Sequence, residues 1–379
     1  MAAPSGPGTH IREVIKGFEE RGHTVVKFIA GGERLADAGS AINYKTHSWK
    51  KLIPSFLWHT LKDHDLLRKD KKQYHQLLDL IDREKPDFIY ERAYYLMHSG
   101  YKAAIATRTP YYCEINAPYP EEKSSMDGTS IYLSKAVQNE KDQVRAAHKV
   151  FVVSSALKQY LAERIPGQEE KIIVTPNAVN PAHMQSREEN VLALRTKFNI
   201  TSDNHVTGFV GSIFPYHGVD VLIEAFAGVR EKKTGQKLLI VGDGAILNEL
   251  RNRVTQFGME QDVIFTGNVS PDQVADHIAL MHIAVMAKSN WYGSPVKIFE
   301  YGAMGKAIIA PDVVPVHDVM IDEQDGLIIS DNADTMKNAL LRMIENPEAA
   351  AKMAATFHHK VMTKHTWQQV SDTILEAAL

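Results

Sequence analysis

From residue 206 onward, short apolar runs alternate with segments whose apolar positions recur at spacings of three and four. The runs 206–210, 237–241, 263–266, 283–287, 307–310 and 326–330 predict strands. The segments 219–231, 245–257, 271–281 and 295–304 predict helices. Strand and helix alternating in this way imply right-handed crossovers and a doubly wound parallel sheet. The first half follows the same logic with longer insertions. A helix over 10–21 is stopped by Gly22 and His23, strands are expected at 24–29, 87–90, 111–115, 150–154 and 171–174, and helices at 74–83, 133–148 and 156–164. The polar stretch 180–190 reads as a linker, which divides the chain into α/β domains at 1–183 and 184–365. Ligands bind outside the carboxyl ends of the strands in such sheets, so two facing sheets imply an interdomain cleft. One feature departs from the pattern. A glycine-rich loop over 4–8 precedes the first helix, whereas such loops follow a first strand. Either the chain as given lacks that strand or the sheet is one strand short, and both readings stay open.

Composition narrows the chemistry. Apolar residues at 44% and charged residues at 23% are ordinary for a globular protein. A net charge of -3 gives no nucleic-acid signature, so any anion site must be local. The single cysteine, Cys113, rules out an intrachain disulfide framework and a cysteine-built metal site; within the run 110–115 it reads as a buried thiol. The histidines show no HExxH and no paired spacing, so neither metal nor cofactor is expected. No apolar run reaches the length of about 18 residues that spans a membrane, and no signal-peptide pattern opens the chain, which predicts a cytoplasmic protein.

The most informative stretch is 293–311, GSPVKIFEYGAMGKAIIAP. Ser294 can cap a helix and Pro295 can take its first position, making Lys297 the third helical residue. A cation in the first turn opposes the helix dipole at a cost of about 0.3–1 kcal/mol, which an anion would offset. A phosphate there would meet free backbone N–H groups and the ammonium together. Glu300, three residues on, shares the face and can accept from two vicinal hydroxyls, as on a ribose. The plainer alternative is an amphipathic helix with a solvated Lys and Glu. Gly211 and Ser212 end a strand and let backbone N–H groups approach an anion, or serve turn geometry alone. Gly244 and the pair Asn268 and Val269 end the next two strands, where backbone groups can hold a base or merely turn the chain. In the first domain, Glu114 and Asn116 share one face at a strand end and can bind sugar hydroxyls. Arg92 ends the preceding strand and either binds substrate or pairs with a carboxylate. The segment 49–72 mixes aromatic and Leu residues with seven Lys or Arg against three Asp; it can lie on an anionic membrane surface or form a solvated insertion packed on its own domain.

Taken together, these blocks resemble the GT-B glycosyltransferases of family 4. The resemblance rests on FVGSIFPYHGVDVLIEAF, LLIVGDGAILNELR, VIFTGNVSPDQV and YGSPVKIFEYGAMGKAIIAP in the second domain, and on GPGTHIREVIKGFEERGHTV, YERAYYL, EINAP, VFVVSSALKQYL and VTPNAVN in the first. It implies two Rossmann-like doubly wound domains facing across a cleft, with a C-terminal helix over 366–379 crossing back. It implies a retaining, metal-independent transfer from a UDP- or GDP-sugar to a sugar or lipid-linked acceptor in polysaccharide or glycoconjugate assembly, cytoplasmic or peripheral at the inner membrane face. By position, Glu300 would hold the donor ribose, and Gly293, Ser294, Pro295 and Val296 would face donor sugar and phosphates. Gly211 and Ser212 would form the diphosphate loop, Gly244, Asn268 and Val269 would hold the base, and Gly6 and Gly8 would lie beneath the donor phosphates. Lys297, Glu300 and Asn116 are the expected catalytic set. The chain departs from the pattern at three points. The family's first motif glutamate falls on Tyr292, the basic pair of the diphosphate loop falls on Ser212 and His217, and Asn116 stands where many relatives have His. Two other readings remain: a GT-B nucleotide-sugar epimerase, and a non-catalytic nucleotide- or sugar-binding partner.

Overall fold

The computed structural model describes residues 6–29, 54–126 and 128–379. Two compact units emerge, Met1–Thr175 with Ser371–Leu379, and Pro176–Val370.

The first unit opens with α1 (Gly6–Glu20) and α2 (Ser55–Glu84), followed by β1 (Ile89–Arg92), α3 (Ser99–Thr107), β2 (Tyr111–Ile115), α4 (Tyr119–Met126), α5 (Leu133–Ala146), β3 (Lys149–Val152), α6 (Ser155–Arg164) and β4 (Ile172–Val174). The strands form a parallel sheet in the order β1-β2-β3-β4. Every residue of β2 is buried, Cys113 included, as expected for a strand covered on both faces. Three expectations are corrected here. Gly6 and Gly8 lie in the first turn of α1 rather than in a loop, while Pro4 and Ser5 fall outside the described residues. Residues 24–29 carry a strand-like pattern but join no ladder: a strand is defined by its partner, and none pairs with this segment among the described residues. The segment 55–84 is one 30-residue helix, not a short helix after an insertion. Its charge-rich face hid the periodicity, because two of the three residues it buries, Asp63 and Asp70, are acidic. Asp70 accepts the backbone N–H groups of His98 and Ser99 at the start of α3, and Asp63 accepts from the Tyr95 and Ser130 hydroxyls, so α2 docks through hydrogen bonds as well as through Leu66 and Leu67, which pack on Tyr95, Leu96 and Ala136.

The second unit runs α7 (Glu188–Lys197), β5 (His205–Val210), α8 (Val219–Arg230), β6 (Gln236–Val241), α9 (Leu247–Gln256), β7 (Val263–Gly267), α10 (Val274–Ala279), β8 (Ile283–Val285), α11 (Val296–Ala303), β9 (Ala307–Pro311), α12 (Val314–His317), β10 (Leu327–Ile329), α13 (Ala333–Glu345) and α14 (Pro347–Lys364); α15 (Trp367–Ala378) follows, its residues from Ser371 onward belonging to the first unit. Its six parallel strands are ordered β10-β9-β8-β5-β6-β7. Chain order therefore reverses between β5 and β8, the switch point where an open α/β sheet binds ligands at its carboxyl edge. Alternate residues of β6 build separate cores: Leu238 and Ile240 face α8, α9 and α13, while Leu239 and Val241 pack with Ile298, Phe299 and Phe357. α7 begins inside the expected linker. α13 and α14 escaped the sequence pattern, although each carries a start signal, the Asn332 side chain accepting from Thr335 N–H and Pro347 standing at the head of α14.

Candidate active site

The switch point brings together the loops that follow β5 and β8. Gly211 N–H donates to the Val241 carbonyl, Ile213 N–H to Asp243, and Gly242 N–H to Gly267, each at 2.9–3.0 Å, so three strand-ending loops are stitched into one surface. Only glycine fits at its centre. Gly242 has φ +136°, and a Cβ there would overlap the Gly211 carbonyl oxygen; a Cβ on Gly244 would overlap that of Ile213. Gly242 is a site-shaping residue that the sequence reading left out of its candidate set, although its place in the Val241-Gly242-Asp243-Gly244 turn was a signal. Asn268 is exposed just beyond β7, and Val269 packs half-buried on the core.

α11 projects its first turn into this surface. It starts at Val296, with Pro295 in the cap position and no side-chain cap. The expected Ser294 cap is corrected: the Ser294 hydroxyl accepts the Asn177 N–H at 2.9 Å, and its carbonyl accepts from the Asn177 side chain at 3.2 Å. Ser294 thus ties the loop down instead of closing the helix, and among the described residues no side chain caps the first turn, where Ile298 N–H donates to the Pro295 carbonyl at 3.3 Å. Asn290, also outside the sequence expectation, supplies the other tie, its side-chain oxygen accepting from Tyr292 and Gly293 N–H at 3.3 and 2.6 Å. Tyr301, fully buried, accepts the Val210 N–H at 2.8 Å and locks α11 to the end of β5.

Lys297, second in the helix, lies over Gly211, whose missing Cβ makes the room, and its ammonium stands 5.5 Å from the Phe209 ring centroid. Burial lowers its pKa to about 8 against the opposing pull of Glu300. Glu300, one turn on, is raised to about 7 by burial, with Lys297 acting the other way. Among the described residues no ion pair joins Lys297 or Glu300 to any partner within 4.0 Å. His217 ends a short helical turn and directs Nδ1 at the Ser212 carbonyl, 2.5 Å away, and Nε2 at the Lys297 ammonium, 3.5 Å away. A cation, a carboxylate, an imidazole and a helix start with no side-chain cap thus meet on a glycine floor, a surface suited to a diphosphate beside a diol.

In the first unit, Glu114 is 2% exposed and sits among three hydrogen-bonding groups, His10 Nε2 at 2.9 Å, Tyr90 Oη at 2.5 Å and the Asn116 amide, with the Arg92 guanidinium in an ion pair at 3.3 Å. Burial opposes its charge, but His10, Arg92 and Tyr90 more than offset that and hold the carboxyl at about 2. Arg92 is therefore the partner of a buried carboxylate. Asn116 Oδ1 is buried with no hydrogen-bond partner among the described residues.

Residues 191–357 match the family described as Glycosyl transferases group 1, and residues 4–183 match Glycosyltransferase Family 4. The chain is 25% identical over 238 residues to a lipopolysaccharide 1,2-N-acetylglucosaminetransferase of Salmonella typhimurium, covering 60% of this chain and 61% of that protein. It is 25% identical over 166 residues to a GDP-mannose-dependent alpha-(1-6)-phosphatidylinositol monomannoside mannosyltransferase of Mycobacterium tuberculosis, covering 42% and 43%. Both matches span less than two thirds of the relative's own length. The fold matches that of Anabaena Alr3699/HepE, solved with UDP and glucose, at a TM-score of 0.70 and 16% identity over 99% of this chain and 96% of that one.

Proposed function

Starting from the fact that this chain belongs to the group 1, family 4 glycosyltransferases, we propose that its second unit binds a nucleotide-sugar donor and that the protein transfers the sugar to an acceptor with retention of anomeric configuration. One observation carries the reading: Lys297 and Glu300 stand unpaired by any ion among the described residues, one turn apart, at the switch point of the sheet. Each is a charge kept partly out of water at a cost, and a donor supplies what each lacks. Lys297 and the first-turn N–H groups of α11 meet the diphosphate, and Glu300 accepts from the ribose hydroxyls. As the bond from anomeric carbon to phosphate oxygen breaks, its electron pair passes to that oxygen, where the ammonium and the N–H groups are already aimed. The incoming hydroxyl gives its proton to the departing diphosphate.

The donor is a UDP- or GDP-sugar and the acceptor a sugar or a lipid-linked sugar. The relatives named above, one acting on lipopolysaccharide and one on a phosphatidylinositol mannoside, support that acceptor class. In the first unit Asn116 stands on the acceptor side at the end of β2, and Glu114 holds it in place. The outer face of α2 rests on an anionic membrane surface; no helix among the described residues is long and apolar enough to cross one.

A panel of UDP- and GDP-sugars incubated with glycolipid and polysaccharide acceptors tests the reading. The expected result is acceptor-dependent release of nucleoside diphosphate, with product of the donor's anomeric configuration by NMR. Altered donor without acceptor would make the protein an epimerase, and binding without turnover on every acceptor would make it a binding partner. Asn116→Ala is expected to keep donor affinity while losing transfer; equal loss of both would remove Asn116 from the acceptor side.

A further inference from the structure

His217 stands where a permanent cation would serve a diphosphate, and its two partners say why it is an imidazole. Nδ1 faces the Ser212 carbonyl at 2.5 Å, which can only accept, so Nδ1 carries the hydrogen. Nε2 faces the Lys297 ammonium at 3.5 Å, which can only donate, so Nε2 presents its lone pair. The Ser212 carbonyl fixes the hydrogen on Nδ1, which by itself favours the charged ring, while the Lys297 ammonium at Nε2, together with burial, selects the neutral one. Among the described residues no carboxylate makes a hydrogen bond or ion pair with the ring. Lys297 approaches from α11, with Glu300 one turn beyond it. The Phe209 and Tyr216 rings lie 6.1 and 4.5 Å away by centroid, and Lys288, against Gly218, is paired with Asp331 at 3.2 Å.

We propose that His217 is a proton-coupled diphosphate ligand, neutral and holding the Lys297 ammonium while the site is empty, and protonated at Nε2 when a nucleoside diphosphate group occupies it. This rests on the reading of the protein as a donor-using transferase and adds a role for a side chain. An arriving diphosphate draws the Lys297 ammonium onto its own oxygens and turns the face that repelled a second positive charge into one that attracts it. Nε2 then takes one proton from solvent and donates it as a hydrogen bond to a phosphate oxygen; Lys297 stays an ammonium throughout. The neutral ring in the free state agrees with the direction in which burial, then Lys297, displace its pKa, down to about 4. A lysine in this place would face Lys297 as a second fixed charge in the empty site, a repulsion the neutral imidazole avoids.

Calorimetry at pH 7 in buffers of different ionisation enthalpy counts the protons. UDP-glucose and GDP-mannose are the probes, since a diphosphate diester has no titrating oxygen near neutrality. Uridine and guanosine are the controls, since they reach Glu300 through the ribose but bring no phosphate. The diphosphate donor that binds is expected to take up about half to one proton more than its nucleoside, and its affinity to fall by up to about tenfold per pH unit between the free and bound values of the ring. His217→Gln keeps an acceptor for Lys297 but cannot charge, so the excess uptake should vanish and binding weaken. Equal uptake for donor and nucleoside in the unmodified protein, or an excess surviving in His217→Gln, overturns the proposal while leaving the donor site standing. If neither donor binds, the transferase reading fails and this role with it.

Discussion

Lys297 and Glu300 are three residues apart and answer to different parts of one ligand. Lys297→Ala should cost a nucleoside diphosphate about 1.5–3 kcal/mol of binding relative to the plain nucleoside, the range of a charge-assisted hydrogen bond. Glu300→Gln should weaken both ligands alike, because both carry the ribose. Calorimetry on the four combinations decides it, and equal weakening of both ligands by Lys297→Ala would show that the ammonium does not serve the phosphates. Glu114 yields a stability test instead. Its folded carboxyl, held at about 2, is depressed below the ordinary carboxylate value, so the stability it contributes is present above that ordinary value and is lost as pH falls toward 2. Glu114→Gln should therefore be less stable at pH 7 by on the order of 3 kcal/mol, with the gap closing by about pH 2. Urea unfolding at both ends of that range measures it, and a constant gap would mean that the His10 and Arg92 contacts do not depend on the charge.

At the scale of elements, α2 shows how a helix can be held by polar groups and still leave an apolar face outside. Asp63 and Asp70 fasten the buried side to the start of α3 and to Ser130. Away from that side, Leu57 and Leu61 are exposed at 51 and 59%, ahead of exposed Lys62, Arg68, Lys69 and Lys72, while Phe56, 47% exposed, stands in the first turn on the stripe of Asp63 and Asp70. A hydrophobic end followed by a basic stretch on one face suits a headgroup boundary. Vesicles containing anionic lipid should sediment the protein at low salt and release it at high salt, and changing Phe56, Leu57 and Leu61 together to Ser should abolish binding while the fold is kept. Failure to bind at low salt would leave α2 as a solvated insertion. The first five residues of the segment 49–72 lie outside the described residues. α11 makes the complementary point: its helical span was readable from apolar spacing, but its cap was not, since the nearest hydroxyl is taken by Asn177, more than a hundred residues away in sequence.

Across the whole molecule, the donor groups proposed from the geometry, Lys297, Glu300, His217 and the start of α11, belong to the unit Pro176–Val370, whereas Gly6 and Gly8, expected from the resemblance beneath the donor phosphates, belong to the first unit. Nucleoside diphosphate should therefore slow amide exchange around 211–218 and 290–300 and leave β1 to β4 unchanged; protection confined to the first unit would move the donor site there. The sequence by itself determined the alternation of strand and helix, hence two parallel sheets, because buried parallel strands are short apolar runs and their covering helices repeat at three and four. It also determined the place of Lys297 and Glu300 on one helical face, since their spacing of three survives any small shift in where the helix starts. Tertiary structure alone decided the rest, for one physical reason: a partner distant in sequence leaves no local pattern. The unpaired segment 24–29, the acidic residues that α2 buries, the Asn177 tie that removes Ser294 from the cap, the Gly211 and Gly242 approach that admits no Cβ, and the two opposed partners that fix the His217 ring all depend on what the folded chain brings alongside.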